Sequence, residues 1–322
     1  MEESKRQLLK AISAGSLYIP LSQLYVPESL ATPLPELGLF KKIYTHQDLS
    51  TAFNSYLLSH HSTYIDPQLP HQAMELVPLY NNDQTIYESL QAAFLASEES
   101  GLSVIHQAHY EQEYTALIAE KTRALISKST DKISFNNHLN LSTKSPYIDQ
   151  LRQQIPISGQ SILLTDHLVI DPITDMFASE QSSYTSQCLA LKKYCPTAVN
   201  SIRTQSLDLI TQYNGLNNCP ETQQRPFMKA LLSRLKIGGH LIIQQADIGS
   251  QLDFEIATLS RYFTNLQAGL SWQQNLMHTP TLQTMKSWHR RLFQHGLTLK
   301  NSQRVLENDL LAHTLMHFHK TA

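Results

Sequence analysis

Apolar positions recur with two different periods along this chain, and the change falls near residue 130. Before it they fall at helical spacing, one face every three to four residues. Leu8, Leu9 and Ile12 share one side of Ser4–Ala14, and further helices are predicted at His46–Ser59, Asp83–Ser97 and Val104–Ser127. In the last of these Ile105, Ala108, Tyr114, Leu117, Ile118, Leu125 and Ile126 approximate a stripe. The Pro- and Leu-rich stretch Tyr18–Gly38 interrupts the series, because repeated prolines block long helices and favour extended or turn geometry. Residues 1–130 thus read as a mainly helical region. It is suited to cover a substrate pocket as a lid, or to dock a second copy or a protein partner.

After Thr130 short apolar runs replace the stripes: Ile133–Phe135, Ile162–Thr165, Ala198–Ile202, Leu207–Thr211 and His240–Gln244. Helix-like segments at Tyr147–Gln154, Glu180–Tyr194 and Arg225–Leu235 separate most of them. Strands alternating with helices predict βαβ units and a parallel sheet. Thr298–Leu306 and Ala312–His319 add two more strands, close enough in sequence to form an antiparallel end. Residues 131–322 therefore make a second, α/β domain.

Composition narrows the classes of function. Of 322 residues, 41% are hydrophobic, enough for a sizeable core, and only 16% are charged. A formal net charge of −2 excludes a general nucleic-acid or anionic-membrane binder, which needs clustered Lys and Arg. Cys188, Cys195 and Cys219 have no CxxC spacing, so neither a disulfide framework nor a zinc site is expected. The amino-terminal MEESKRQLLKAISAG has no apolar core of a signal peptide, and no apolar run reaches membrane-spanning length. A soluble cytoplasmic protein is expected. The histidines of HTLMHFHK (His313, His317, His319) lack a matching Cys or carboxylate partner, so no metal is expected there either.

The segment Ser206–Asp247 carries more information. A strand containing Asp208 leads to the turn-prone NGLNN, and then to a helix with apolar Phe227, Leu231, Leu232 and Leu235. Gly238–Gly239 is placed to close that helix in left-handed geometry before the strand HLIIQQ. This order resembles the fourth strand, helix and fifth strand of class I S-adenosylmethionine-dependent methyltransferases of the small-molecule type. Ser206, Leu207, Asp208 and Leu209 match that family's first element; Arg234, Leu235, Lys236, Gly238 and Gly239 match its last. Downstream, Trp288, Phe293, Gly296 and Leu297 follow the family's W…F…G-F outline with the spacing at Phe293 shifted by one. The resemblance covers Ser206–Phe318. It implies a Rossmann-like methyltransferase domain with a mostly parallel sheet and an antiparallel carboxyl-terminal end.

It also implies S-adenosylmethionine as cofactor and a small molecule as methyl acceptor. Counting back places strand one at Lys132–His138 and strand two at Ser161–Asp166. The expected cofactor contacts are then Asn137 and His138 after strand one, Asp166 as the ribose-binding acid, and Gln212 and Tyr213 after strand four. His138, His167 and Tyr213 are the candidate bases for a proton-bearing acceptor. The glycine turn of the family is missing, for KISFNNHLNLSTKS contains no glycine and none occurs between Gly101 and Gly159. Where the family often has His after strand four, this chain has Asn217 and Asn218, and amides are not bases near neutral pH. Two readings follow: methyl transfer to a small molecule, or a non-catalytic relative that keeps the fold as a binding or assembly module.

Overall fold

A computed structural model of the chain describes residues 38–59, 64–96, 100–130, 134–142, 146–165, 185–213, 215–277 and 282–321. They divide into two compact units. One comprises Met1–Tyr110, Ile248–Thr279 and Leu306–Ala312; the other comprises Glu111–Asp247, Pro280–Val305 and His313–Ala322. Where the sequence pattern puts a helical region at 1–130, the helical unit also takes in helices from beyond the fifth strand, and the latter half of the predicted Val104–Ser127 helix falls in the sheet unit.

The described part of the helical unit contains α1 (Leu39–Tyr44), α2 (Gln47–Ser59), α3 (Gln68–Leu76) and α4 (Asp83–Ala96), and the start of α5 (Ser100–Ser127). The helix predicted at Ser4–Ala14 lies outside the described residues. Farther along the chain the unit contains α8 (Gln251–Gln267) and α9 (Trp272–Met277), numbered in order with the helices given below. Its core is aromatic: the Phe263 ring centroid lies 5.8 Å from that of Phe40 and 6.0 Å from that of Phe53. A capping box starts α8, with Ser250 Oγ accepting from the Asp253 N–H at 3.1 Å and Asp253 Oδ2 accepting from the Ser250 N–H at 2.8 Å. The Asp83 carboxylate accepts the N–H groups of Leu39 at 2.7 Å and Phe40 at 3.1 Å, satisfying two of the free donors at the start of α1. That contact needs glycine at position 38, since a Cβ there would stand 2.2 Å from Asp83 Oδ1.

The sheet unit holds seven strands: β1 (His138–Leu141), β2 (Ser161–Thr165), β3 (Gln187–Ala190), β4 (Leu207–Tyr213), β5 (Leu235–Gln245), β6 (Leu297–Arg304) and β7 (Thr314–Lys320). Their order is β3-β2-β1-β4-β5-β7-β6, parallel except for β7, which runs against both β5 and β6. Its helices are the latter part of α5, α6 (Pro146–Gln154), α7 (Glu221–Leu232) and α10 (Met285–Phe293).

Two strands lie elsewhere than the hydropathy pattern predicts. Strand one is His138–Leu141 rather than Lys132–His138; Phe135 makes only an isolated bridge to Ile157. Strand three is the half-exposed Gln187–Ala190, inside the segment predicted as the helix Glu180–Tyr194. The apolar run Ala198–Ile202 instead starts in a 3-10 turn, Pro196–Val199, whose Ala198 and Val199 are buried in the core. Gly238 does have a left-handed φ of +79°, but within β5, where the pairing with β4 shifts register, and not as a helix cap.

Paired positions share one face of a sheet, and here the two faces differ in kind. One carries Leu139, Leu141, Ile162, Leu164, Ile210, Leu241, Ile243, Met316 and Phe318, in one apolar cluster with Phe227 and Leu231 of α7 and Trp288 of α10. The other carries His138, Asn140, Thr211, Tyr213, His240, Gln244 and His317, in register across four strands. Most are fully buried, so each needs internal hydrogen bonds. His138 Nε2 lies 2.7 Å from Thr211 Oγ1, which donates to Asn140 Oδ1 at 2.9 Å. His240 Nδ1 lies 2.8 Å from His317 Nε2, and His317 Nδ1 lies 3.0 Å from Ser129 Oγ. Gln244 Nε2 donates to Tyr114 of α5 at 2.6 Å.

Burial lowers the pKa of His317 to about 3, helped by the neighbouring His240, His319 and Lys300. Burial also lowers that of His138 to about 3, helped by Arg152. Both are neutral in the folded chain at pH 7. A folded pKa below the unfolded one means stability is complete above about pH 6.5 and declines as the pH falls from there towards 3.

Two outcomes test this account. Gly38→Ala should destabilise the helical unit by about 1–3 kcal/mol, as forced overpacking does, read from the urea midpoint of Trp272 fluorescence in a Trp288→Phe background. Between about pH 7.5 and pH 5, the sheet unit should lose about 2 kcal/mol for each of His138 and His317. Trp288 fluorescence in a Trp272→Phe background reports it, and His317→Gln should remove about half of the pH dependence. An unchanged slope would show that His317 takes up its proton without cost.

Candidate functional site

In an open parallel sheet the ligand crevice opens at the carboxyl ends of the strands, where the chain's direction of winding reverses. Here that place lies between β1 and β4, since β2 and β3 are added on one side of β1 and β5 on the other side of β4. The carboxyl end of β1 is Leu141, and that of β4 is Tyr213.

Three of the chain's own side chains meet near the carboxyl end of β4. Tyr147, on the first turn of α6, packs on Tyr213 with ring centroids 3.9 Å apart, and the two hydroxyls are in contact. Thr122 of α5 completes the group, with Oγ1 at 3.2 Å from the Tyr213 hydroxyl and 3.4 Å from that of Tyr147. Tyr147 is 2% exposed and Thr122 fully buried. Beyond β4, Gly215 runs so close to β1 that a Cβ would meet the Leu141 carbonyl oxygen at 3.1 Å, and its own carbonyl accepts the Tyr194 hydroxyl. Burial pushes the pKa of both crevice phenols well up; at Tyr147 the neighbouring Tyr213 adds to this. Two phenols held protonated can donate hydrogen bonds, but neither supplies a phenolate base.

The residues expected to grip a cofactor are scattered by comparison. Tyr213 lies in the crevice, engaged as described. Gln212, 1% exposed, accepts a hydrogen bond from Gln245 Nε2 at 3.0 Å. Asn137 and His138 stand at the amino end of β1, opposite the crevice edge, because the strand starts where the hydropathy pattern has it end. There Asn137 is a staple: its Nδ2 donates to the Ser206 carbonyl at 3.0 Å, its Oδ1 accepts the Gln160 N–H at 3.3 Å, and its own N–H reaches Asp208 at 3.1 Å. Asp208 also takes the Lys236 ammonium at 2.9 Å. His138 is wholly buried on Thr211. Asp166 and His167 lie outside the described residues.

The chain lacks the glycine turn by which the resembling family approaches S-adenosylmethionine. No glycine directly follows β1 to give the backbone room, and the rings of Tyr147 and Tyr213 pack together at the carboxyl end of β4. Tyr147 and Thr122 were not singled out from the sequence. The available signal was an aromatic residue directly after a glycine-free turn.

No protein-family model matches the chain, and no curated protein matches it in sequence. Solved structures do resemble it. The mitomycin 7-O-methyltransferase MmcR shares 10% identity at a TM-score of 0.44, covering 99% of this chain and 84% of that one. The pyocyanin biosynthetic protein PhzM shares 8% identity at a TM-score of 0.45, covering 71% of this chain; the match spans 61% of PhzM. The trans-methyltransferase CalH, solved in complex with SAH, shares 11% identity at a TM-score of 0.50, covering 86% of this chain and 74% of that one. With the sheet order β3-β2-β1-β4-β5-β7-β6 and its antiparallel β7, the likeness to CalH identifies the fold of this chain as Rossmann-like, of the methyltransferase type.

Proposed function

We propose that this chain is a methyltransferase-like protein that keeps the fold but closes the cofactor crevice, and so works as a binding or assembly module. The observation that carries this reading is the Tyr147–Tyr213–Thr122 group between the carboxyl ends of β1 and β4. The glycine-free turn supports it, since a cofactor needs close backbone approach there.

A second reading is S-adenosylmethionine-dependent methylation of a small molecule. It is favoured by the likeness in fold to CalH, which was solved in complex with SAH. It requires Tyr147 to leave the crevice, and it leaves Asp166 as the ribose-binding acid.

Calorimetric titration with S-adenosylmethionine and S-adenosylhomocysteine separates the two. The closed crevice predicts no saturable binding to the full-length chain at millimolar ligand. Saturable binding that Asp166→Ala weakens would establish the second reading instead. Independently, Tyr213→Phe should cost about 1 kcal/mol of stability, the worth of a buried hydrogen bond, measured by urea unfolding. A neutral outcome would mean that the tyrosine hydroxyls do not hold the crevice shut.

A further inference from the structure

A cleft of about 390 Å³ lies between α7 and the end of α10, within the size range of small-ligand sites. It shares no residue with the crevice between β1 and β4. Met228, Trp288 and Leu292, all nearly fully buried, form its apolar wall. Gln224, Arg225, Arg291 and His295 line the rest, with Glu221 as the one carboxylate among the lining residues. Lys229 lies within electrostatic reach of His295.

The cleft carries more positive than negative charge. Neither Arg225, Lys229 nor Arg291 makes an ion pair with a described residue. Arg291 is held instead by a neutral group: its Nη1 donates to Gln224 Oε1, which also accepts from Gln283 Nε2 at 2.8 Å. Gln224 is 1% exposed, and its Nε2 has no partner among the described residues. A buried amide orients the guanidinium while adding no opposing charge. An apolar wall strengthens the field that such cations set up, because it keeps high-dielectric water from one side.

We infer that this cleft binds a phosphate monoester with a small apolar substituent. Arg225, Arg291 and Lys229 together with Glu221 leave two positive charges, which one dianionic phosphate neutralises. A guanidinium presents paired donors that match phosphate oxygens, and Met228, Trp288 and Leu292 offer the substituent an apolar surface.

Phenyl phosphate and inorganic phosphate, titrated into the full-length protein at constant ionic strength and followed by calorimetry, test this directly. Phenyl phosphate should bind saturably and more tightly than inorganic phosphate. Arg225→Glu and Lys229→Glu alter exposed side chains, and each should weaken phenyl phosphate by about tenfold or more, as loss of a charge-assisted contact does. Their thermal unfolding, compared with the parent chain, confirms that they are folded. Absence of saturable phenyl phosphate binding, or equal affinity in folded Arg225→Glu, overturns the assignment.

Discussion

A polar atom buried in a protein costs free energy unless it finds a hydrogen-bond partner inside the protein, and in the sheet unit this cost falls mainly on one face of the sheet. The apolar face asks mostly for volume, which Phe227, Leu231 and Trp288 supply, and its two buried amides, Gln212 and Gln245, pair with each other. The face that carries His138, Asn140, Thr211, His240, Gln244 and His317 asks for direction as well. A one-residue slip of β4 or β5 would exchange the two faces and leave every one of these groups without its partner. Helix α5 and the turn that follows it are held by the same demand, for Tyr114, Thr122 and Ser129 contact Gln244, Tyr213 and His317 in turn. Strand register and helix placement are thus two consequences of one constraint.

That constraint also explains which elements the sequence discloses. Strands β2, β4 and β7 and the apolar half of β5 sit within a few residues of their predicted positions, because their apolar residues cluster closely enough to see; β6, LTLKNSQR, is also found near its predicted position although it has no such run. Strand β1 reads HLNL, and its buried His and Asn look like a turn; only the neighbours in space show them to be interior. At β3 the error reverses. An edge strand needs little burial, so QCLA gives a weak signal, while Ala198 and Val199 look like a strand because a short 3-10 turn is packed in the core. Of the candidate site, the missing glycine was legible directly. The tyrosine pair was not, since Tyr147 and Tyr213 are 66 positions apart and meet only once β1 and β4 are paired. Asn137 and His138 were placed at the wrong end of β1 by the same few residues that misplaced the strand.

The crevice and the outer cleft use opposite chemistry. Between β1 and β4 the chain spends aromatic area and hydroxyl pairing on itself, and the group is complete without a ligand. Between α7 and α10 it gathers cations that make no ion pair with a described residue and holds one of them on a buried amide. A fold commonly associated with one ligand position can therefore carry its unmet interactions elsewhere, which is why function has to be argued from particular side chains and not from topology.

The row formed by Ser129, His317 and His240 has one further property. Each contact between two acceptor-capable atoms holds a single proton, so the donors along the row must all point the same way. The Ser129 hydroxyl can point to His317 or to the Leu125 carbonyl at 3.3 Å. In the first case His317 carries its proton on Nε2 and donates to His240; in the second it carries it on Nδ1, and His240 donates back. Rotation of one hydroxyl therefore reverses the tautomers of two imidazoles while every heavy atom stays in place. The heavy-atom positions of this row are thus compatible with two proton arrangements, which the nitrogen-15 shifts of the histidine rings distinguish.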